Sequence, residues 1–153
     1  MAKKTVMDAG KYVPTEAMFK AVDTNFEEVA YNKRQRFTIA EVNAGATLLS
    51  ARVGKGYRLI GCEAIAIGGS AATGTTVDIL GTQSASSVKL VAYAQASLTR
   101  SAVLKAGGTG AAVLADGASF VKCDNNKAIT ILKTGTDFAT ATHVDVNITF
   151  AVE

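Results

Sequence analysis

The chain contains no tryptophan, one proline, one histidine and two cysteines in 153 residues. Each scarcity removes a class of explanation. A single histidine excludes, within one chain, the two-histidine and three-histidine zinc sites. His143 alternates with Val144 and Val146 and therefore reads as a polar-face residue of a strand. Cys62 and Cys123 have no CxxC spacing and no neighbouring histidine. They read as small core hydrophobes, and two cysteines do not make a disulfide framework. Without tryptophan, the Cys-to-Trp-to-Cys spacing of an immunoglobulin domain is missing.

Long apolar runs are absent as well. The best candidate, "LIGCEAIAIGG", is interrupted by Glu63 and is too short to cross a bilayer. The opening "MAKKTVMDAGKYV" lacks the apolar stretch of a secretory signal. The expectation is a chain made in the cytoplasm, with no signal peptide and no membrane partner.

Charge is sparse: 16 Lys and Arg stand against 13 Asp and Glu, a formal net charge of +3. Binding nucleic acid through phosphates requires clustered cations, because each neutralised phosphate contributes by releasing counterions. Only Lys33, Arg34 and Arg36 cluster along the sequence, so no nucleic-acid partner is expected. Those three follow an expected helix, where they would meet its C-terminal carbonyls or a negatively charged partner surface.

Catalytic patterns are missing too. There is no GxSxG elbow. "GKGYRLIG" has the wrong glycine spacing for a dinucleotide fingerprint and reads as a tight hairpin at "GKG"; no GxxxxGK[ST] occurs. "AGGTGAA" precedes a strand rather than a helix, so it offers no helix N-terminus to a phosphate. The acids Glu41, Glu63, Asp78, Asp116, Asp124, Asp137 and Asp145 show no pairing that selects two of them. "CDNNK" lacks the spacing and closing glutamate of a calcium loop and reads as a type I′ turn. "NIT" at Asn147 to Thr149 matches a glycosylation sequon, accidentally so without a secretion signal. The reading is of a protein that is not an enzyme and takes no cofactor or metal.

What is present divides in two. Pro14, with Thr15 as N-cap and Glu16 beside the helix dipole, starts a helix expected from about Thr15 to Asn32. Phe19, Val22, Phe26 and Val29 recur along it at spacings of three, four and three, a two-heptad seam. So short a helix is marginal alone. The seam must be covered by this chain's own β-domain, by another copy, or by another protein.

From Arg36 onward the period becomes two. "RFTIAEV", "TLLSARV", "YRLIGCEAIAIG", "TTVDILG", "VKLVAYA", "AVLKAG", "AVLADGASFVKC", "AITILKTG" and "HVDVNITFAVE" are each bounded by Gly, Asn, Asp or Ser. In the last, Val144, Val146, Ile148, Phe150 and Val152 point one way. No segment is long enough for a crossover helix, which argues against a parallel sheet. The expected fold is mainly β: an antiparallel β-sandwich, jelly-roll-like, with one N-terminal α-helix. Residues 1–34 would form the arm and helix, and residues 35–153 the sandwich. Ala, Ser and Thr occupy many outward positions ("SARV", "AYAQAS", "DFATATH") where a monomer would carry Lys and Glu, which points to self-association.

The segment "FKAVDTNFEEVAYNK" resembles the short helix near the N-termini of small virion proteins of tailed bacteriophages. Phe19, Val22, Asn25, Phe26, Glu27, Glu28 and Val29 carry that likeness, over about 15 residues. The β-rich, Ala/Gly/Thr-laden remainder is similar in style to their compact trimeric jelly-roll modules. The resemblance implies a structural protein: a homotrimeric capsid decoration protein, of head-decoration or head-fibre type, held on the virion through its N-terminal arm. Its partner would be the major capsid protein or another virion protein. Phe19, Val22, Asn25, Phe26, Val29, Lys33 and Arg34 would make the anchoring or trimer contact. No long repetitive shaft is present, so a compact knob is expected. The alternative reading is a tail or baseplate module that binds a receptor or carbohydrate.

Overall fold

The computed structural model describes residues 6–8, 11–13, 30–69, 76–94, 96–113, 118–136 and 140–153. Near the N-terminus, β1 (Val6–Asp8) pairs antiparallel with β2 (Lys11–Val13). The remaining elements are β3 (Tyr31–Thr38), α1 (Ile39–Ala44), β4 (Ala46–Leu49), β5 (Tyr57–Ile67), β6 (Thr76–Gln83), β7 (Ser86–Ala94), β8 (Leu104–Lys105), β9 (Ala111–Val113), β10 (Ile129–Thr134) and β11 (His143–Val152).

These strands form an antiparallel sandwich. One sheet has the order β4-β10-β6-β7-β9 and the other β3-β11-β5-β8. Among the described strands from β3 onward, only β6 and β7 are joined as a hairpin. Every other successive pair changes sheet or, for β9 and β10, skips two strands. The chain is thus woven between layers, and the core is built from residues far apart in sequence.

Alternation places the core as expected. In β11, Val144, Val146, Ile148, Phe150 and Val152 are buried. They meet Leu59, Cys62, Ala64 and Ala66 of β5, Phe37 of β3, and Val77, Ile79, Val91, Tyr93, Ile129 and Ile131 of the facing sheet in one cluster. Three bulges interrupt the pattern. The ladders skip Ile60 in β5, Leu90 in β7 and Leu48 in β4. Each extra residue moves later side chains to the other face. That is why Leu59 and Cys62 both point inward although three positions separate them.

Most of the expected N-terminal helix, residues 14–29, lies outside the described residues. Its end is corrected: Tyr31 and Asn32 open β3, which pairs with β11 in register from Tyr31↔Phe150 to Thr38↔His143. Lys33 and Arg34 are therefore sheet residues, not the tail of an arm. Alternation across "NKRQRF" suits a strand, and the long ladder against β11 outweighs any extension of the helical pattern. The short helix α1 instead begins within "RFTIAEV", expected to be a strand, and runs on to Ala44. Thr38 and Glu41 form a reciprocal capping box there, and Gly45 at φ +88° ends the helix.

Two turn expectations also change. The tight turn near "GKG" is centred one residue earlier, on Val53 and Gly54, with Lys55 N–H donating to Arg52 O at 3.3 Å. In "CDNNK" only Asn126 has a left-handed φ, 61°, whereas a type I′ turn needs two such residues. The type I′ signature belongs to Ser84 and Ala85, at φ 50° and 63°, in the β6–β7 hairpin.

Candidate interaction surfaces

The outer face of the four-stranded sheet carries a row of polar groups. Strand alternation sends Arg34 and Arg36 of β3, Asp145, Asn147 and Thr149 of β11, Glu63 of β5 and Lys105 of β8 to the side away from the core. Arg36 and Asp145 are direct cross-strand partners. The guanidinium meets the carboxylate through two bonds, Nε to Oδ1 at 2.7 Å and a second nitrogen to Oδ2 at 2.9 Å. Hydrogen bonding by Arg36 holds the Asp145 carboxyl below the usual aspartate range. Lys105 Nζ lies 3.7 Å from Glu63.

Between these charges is a shallow depression of about 170 Å³, lined in part by Arg34, Glu63, Ile65, Val103, Asp145 and Asn147. A second hollow of about 210 Å³ adjoins it and shares Glu63 and Asn147. Gly61 and Thr149 line this second hollow as well, and the glycine leaves space above its strand. Asn147 Oδ1 is buried without a hydrogen-bond partner. An acceptor so placed carries a desolvation cost until a donor reaches it.

The opposite sheet holds one buried acid. Asp78 alternates with core residues Val77 and Ile79, yet is fully covered. Lys89 Nζ lies 2.8 Å from its carboxylate, and Thr134 donates to it at 2.6 Å. Nothing in the sequence distinguished Asp78 from the other acids, because its partners come from β7 and the end of β10. Its arrangement is that of a cross-strand brace.

A third surface is apolar. β8 and β9 are two and three residues long, so the sandwich is thinly covered at that side. Ile60, Phe120 and Val121 remain 39%, 51% and 54% exposed. Ile60 and Phe120 share a cleft with Leu59, Val91, Ala106 and Val113. Ile60 reaches the surface because it is the extra residue of the β5 bulge.

Of the residues expected to make the anchoring contact, Phe19, Val22, Asn25, Phe26 and Val29 lie outside the described residues. Lys33 and Arg34 sit on β3 and face opposite ways. Lys33 turns toward the other sheet, where its ammonium donates to Leu48 O at 2.6 Å, satisfying a carbonyl of the β4 bulge. Arg34 borders the polar depression. They do not form one contact patch, and neither caps a helix.

Cys62 and Cys123 are buried free thiols. Burial pushes Cys62 up to about 12. His143 is half-buried, with Nδ1 at 3.1 Å from Thr142 Oγ1. Among the described residues no three His, Cys, Asp or Glu gather as they would around a metal ion. No helix among them is long and apolar enough to cross a membrane.

No family model, no curated relative and no solved structure matches this chain.

Proposed function

We propose that this chain is a bacteriophage structural protein, a trimeric capsid decoration protein of head-decoration or head-fibre type, attached to the virion through its N-terminal arm. The observation that carries the reading is the exposed apolar pair Ile60 and Phe120, which share a cleft at the thin side of the sandwich, with exposed Val121 next in the chain. Side chains of that size in one place suit burial by another subunit. Closure into a ring would also cover the short edge strands β8 and β9, which otherwise invite open-ended pairing. The apolar residues Phe19, Val22, Phe26 and Val29 supply the second contact in this reading, by the resemblance of their sequence to the arms of small virion proteins. A capsid repeats its sites symmetrically, so three arms on one trimer gain effective concentration and each can be weak.

The test separates the two contacts. Phe120→Asp should convert the trimer to smaller species while leaving the circular dichroism spectrum unchanged. Phe19→Asp combined with Phe26→Asp should abolish binding to undecorated phage heads. Normal decoration by the Phe19/Phe26 variant would refute the anchor.

A second reading, a tail or baseplate module that binds a receptor or carbohydrate, is favoured by the depression around Asn147. Its unpartnered acceptor beside Arg34 and Glu63 could take a sugar hydroxyl. Specific, saturable binding on a glycan array, lost on Asn147→Ala, would promote this reading over the first.

A further inference from the structure

We infer that the end of the sandwich formed by the Arg52–Lys55 turn and residues 122–127 is a docking surface for an acidic protein patch with a small apolar notch. The sequence gives no hint of it, since Arg52 lies some seventy residues from Lys122 and Lys127. The fold brings the two segments together. Gly54 N–H donates to Asn126 Oδ1 at 2.7 Å, Asn125 Nδ2 donates to Gly54 O at 3.1 Å, and Asn126 N–H donates to Lys55 O at 3.0 Å. Gly56 and Glu153 exchange backbone bonds of 2.7 and 3.0 Å beneath them. The approach is so close that a Cβ on Gly56 would lie 2.2 Å from Cys123 O.

The turn that results is fixed from both sides, and at its tip Val53 is 96% exposed. The two joined segments also carry Arg52, Lys122 and Lys127, all exposed and without a carboxylate partner among the described residues, and the Lys122 side chain reaches over Gly56. The nearby acids are already engaged. Asp124 accepts the N–H groups of Ser84 and Ala85, and the Glu153 carboxylate binds Arg58 at 2.6 Å. Positive charge therefore faces outward around one apolar knob. By contrast, Lys33 and Arg36, in the cluster visible in the sequence, are occupied by Leu48 O and Asp145.

A protein surface suits this arrangement better than a nucleic acid or a lipid headgroup layer. Three cations neutralise too few phosphates for strong nucleic-acid binding at physiological salt. One valine adds little to membrane insertion, whereas a pre-formed turn loses little entropy on meeting a shaped partner. Asn125 and Asn126 spend side-chain groups on internal bonds rather than presenting them to bases. This surface adjoins the apolar contact invoked for the trimer where Val121 meets Lys122, so the two ideas are separated by their variants: Arg52, Val53 and Lys127 belong to this surface and Phe120 to the other.

The isotope-labelled full chain is titrated at physiological salt with a glutamate-rich peptide carrying one central leucine, and amide shifts are recorded. Shifts confined to residues 52–56 and 122–127 are expected. The double variant Arg52→Glu, Lys127→Glu should weaken binding at least tenfold, and Val53→Asp should remove the advantage of the leucine peptide over poly-L-glutamate. Neither variant touches the core, so folding is checked by the unchanged shifts elsewhere. Shifts centred on Arg34, or none at this end, would overturn the proposal. So would tighter binding to duplex DNA or to phosphatidylserine vesicles under the same conditions.

Discussion

The Asp124 carboxylate accepts the backbone N–H of Ala85 at 2.8 Å, and its other oxygen accepts that of Ser84 at 3.1 Å. Both donors belong to residues in left-handed conformations that side chains disfavour, costing roughly 1–2 kcal/mol per residue. A type I′ turn usually uses Asn and Gly for this reason. Here a carboxylate from a remote loop supplies what the local sequence lacks. Asp124→Ala should lower stability in urea unfolding by about 1–3 kcal/mol. Ala85→Gly should raise it by about 1 kcal/mol or less, the roughly 1–2 kcal/mol of left-handed strain relieved minus the roughly 0.4–1 kcal/mol that the freer unfolded glycine costs.

The two neighbouring cations of β3 should behave differently. Lys33 holds a bulge carbonyl of the opposite sheet, so Lys33→Met should cost about 1–3 kcal/mol by leaving that carbonyl unpaired. The Arg36 side chain is 56% exposed. Its bond to Asp145 is screened by solvent, and Arg36→Ala should shift the urea midpoint far less than Lys33→Met does. Equal losses at both positions would mean that Lys33 does not brace the sandwich.

Acid stability should depend on Asp145 and Glu41. Both carboxyls titrate below their ordinary values, Asp145 through hydrogen bonding from Arg36 and Glu41 through the Thr38 backbone and hydroxyl. A depressed folded value means that the contribution is complete above the unfolded pKa, about 4 for either group, and is lost as pH falls through the folded one. The Asp145→Asn variant should show a shallower loss of thermal stability below pH 4 than the parent. An identical acid limb would show that this pair carries no linkage.

The thiols should be silent in the native state. Burial raises both Cys62 and Cys123, and the nucleophile is the thiolate. A thiol-disulfide reagent at pH 8 should label neither residue until denaturant is added, after which both react. Nearby, Tyr93 Oη is buried beside the weakly bonding Cys62 thiol and makes no hydrogen bond of ordinary geometry. Tyr93→Phe should therefore leave stability unchanged or slightly higher.

Much of the sandwich is legible in the sequence because its strands alternate cleanly; "HVDVNITFAVE" places the buried face of β11 without further information. The bulges are not legible. Nothing in "YRLIGCEAIAIG" marks Ile60 as the extra residue, since the choice is made by the ladder to β11. The strand of Tyr31–Thr38 was obscured by the helical spacing that precedes it, and α1 by the apolar residues around it, although Thr38 and Glu41 stand at capping-box spacing. Surfaces were harder still. Lys33, Arg34 and Arg36 look like one basic patch, and the sheet turns Lys33 to the opposite face. Arg52, Lys122 and Lys127 look unrelated, and three hydrogen bonds between Gly54, Lys55, Asn125 and Asn126 set their segments side by side.

The claim on which the functional account rests is that this chain works as a subunit of an assembly. Sedimentation equilibrium of the full chain at micromolar concentration tests it directly. The account predicts a mass three times the 15.8 kDa of one chain, held across dilution and reduced by Phe120→Asp. A single species of 15.8 kDa at every concentration would contradict it.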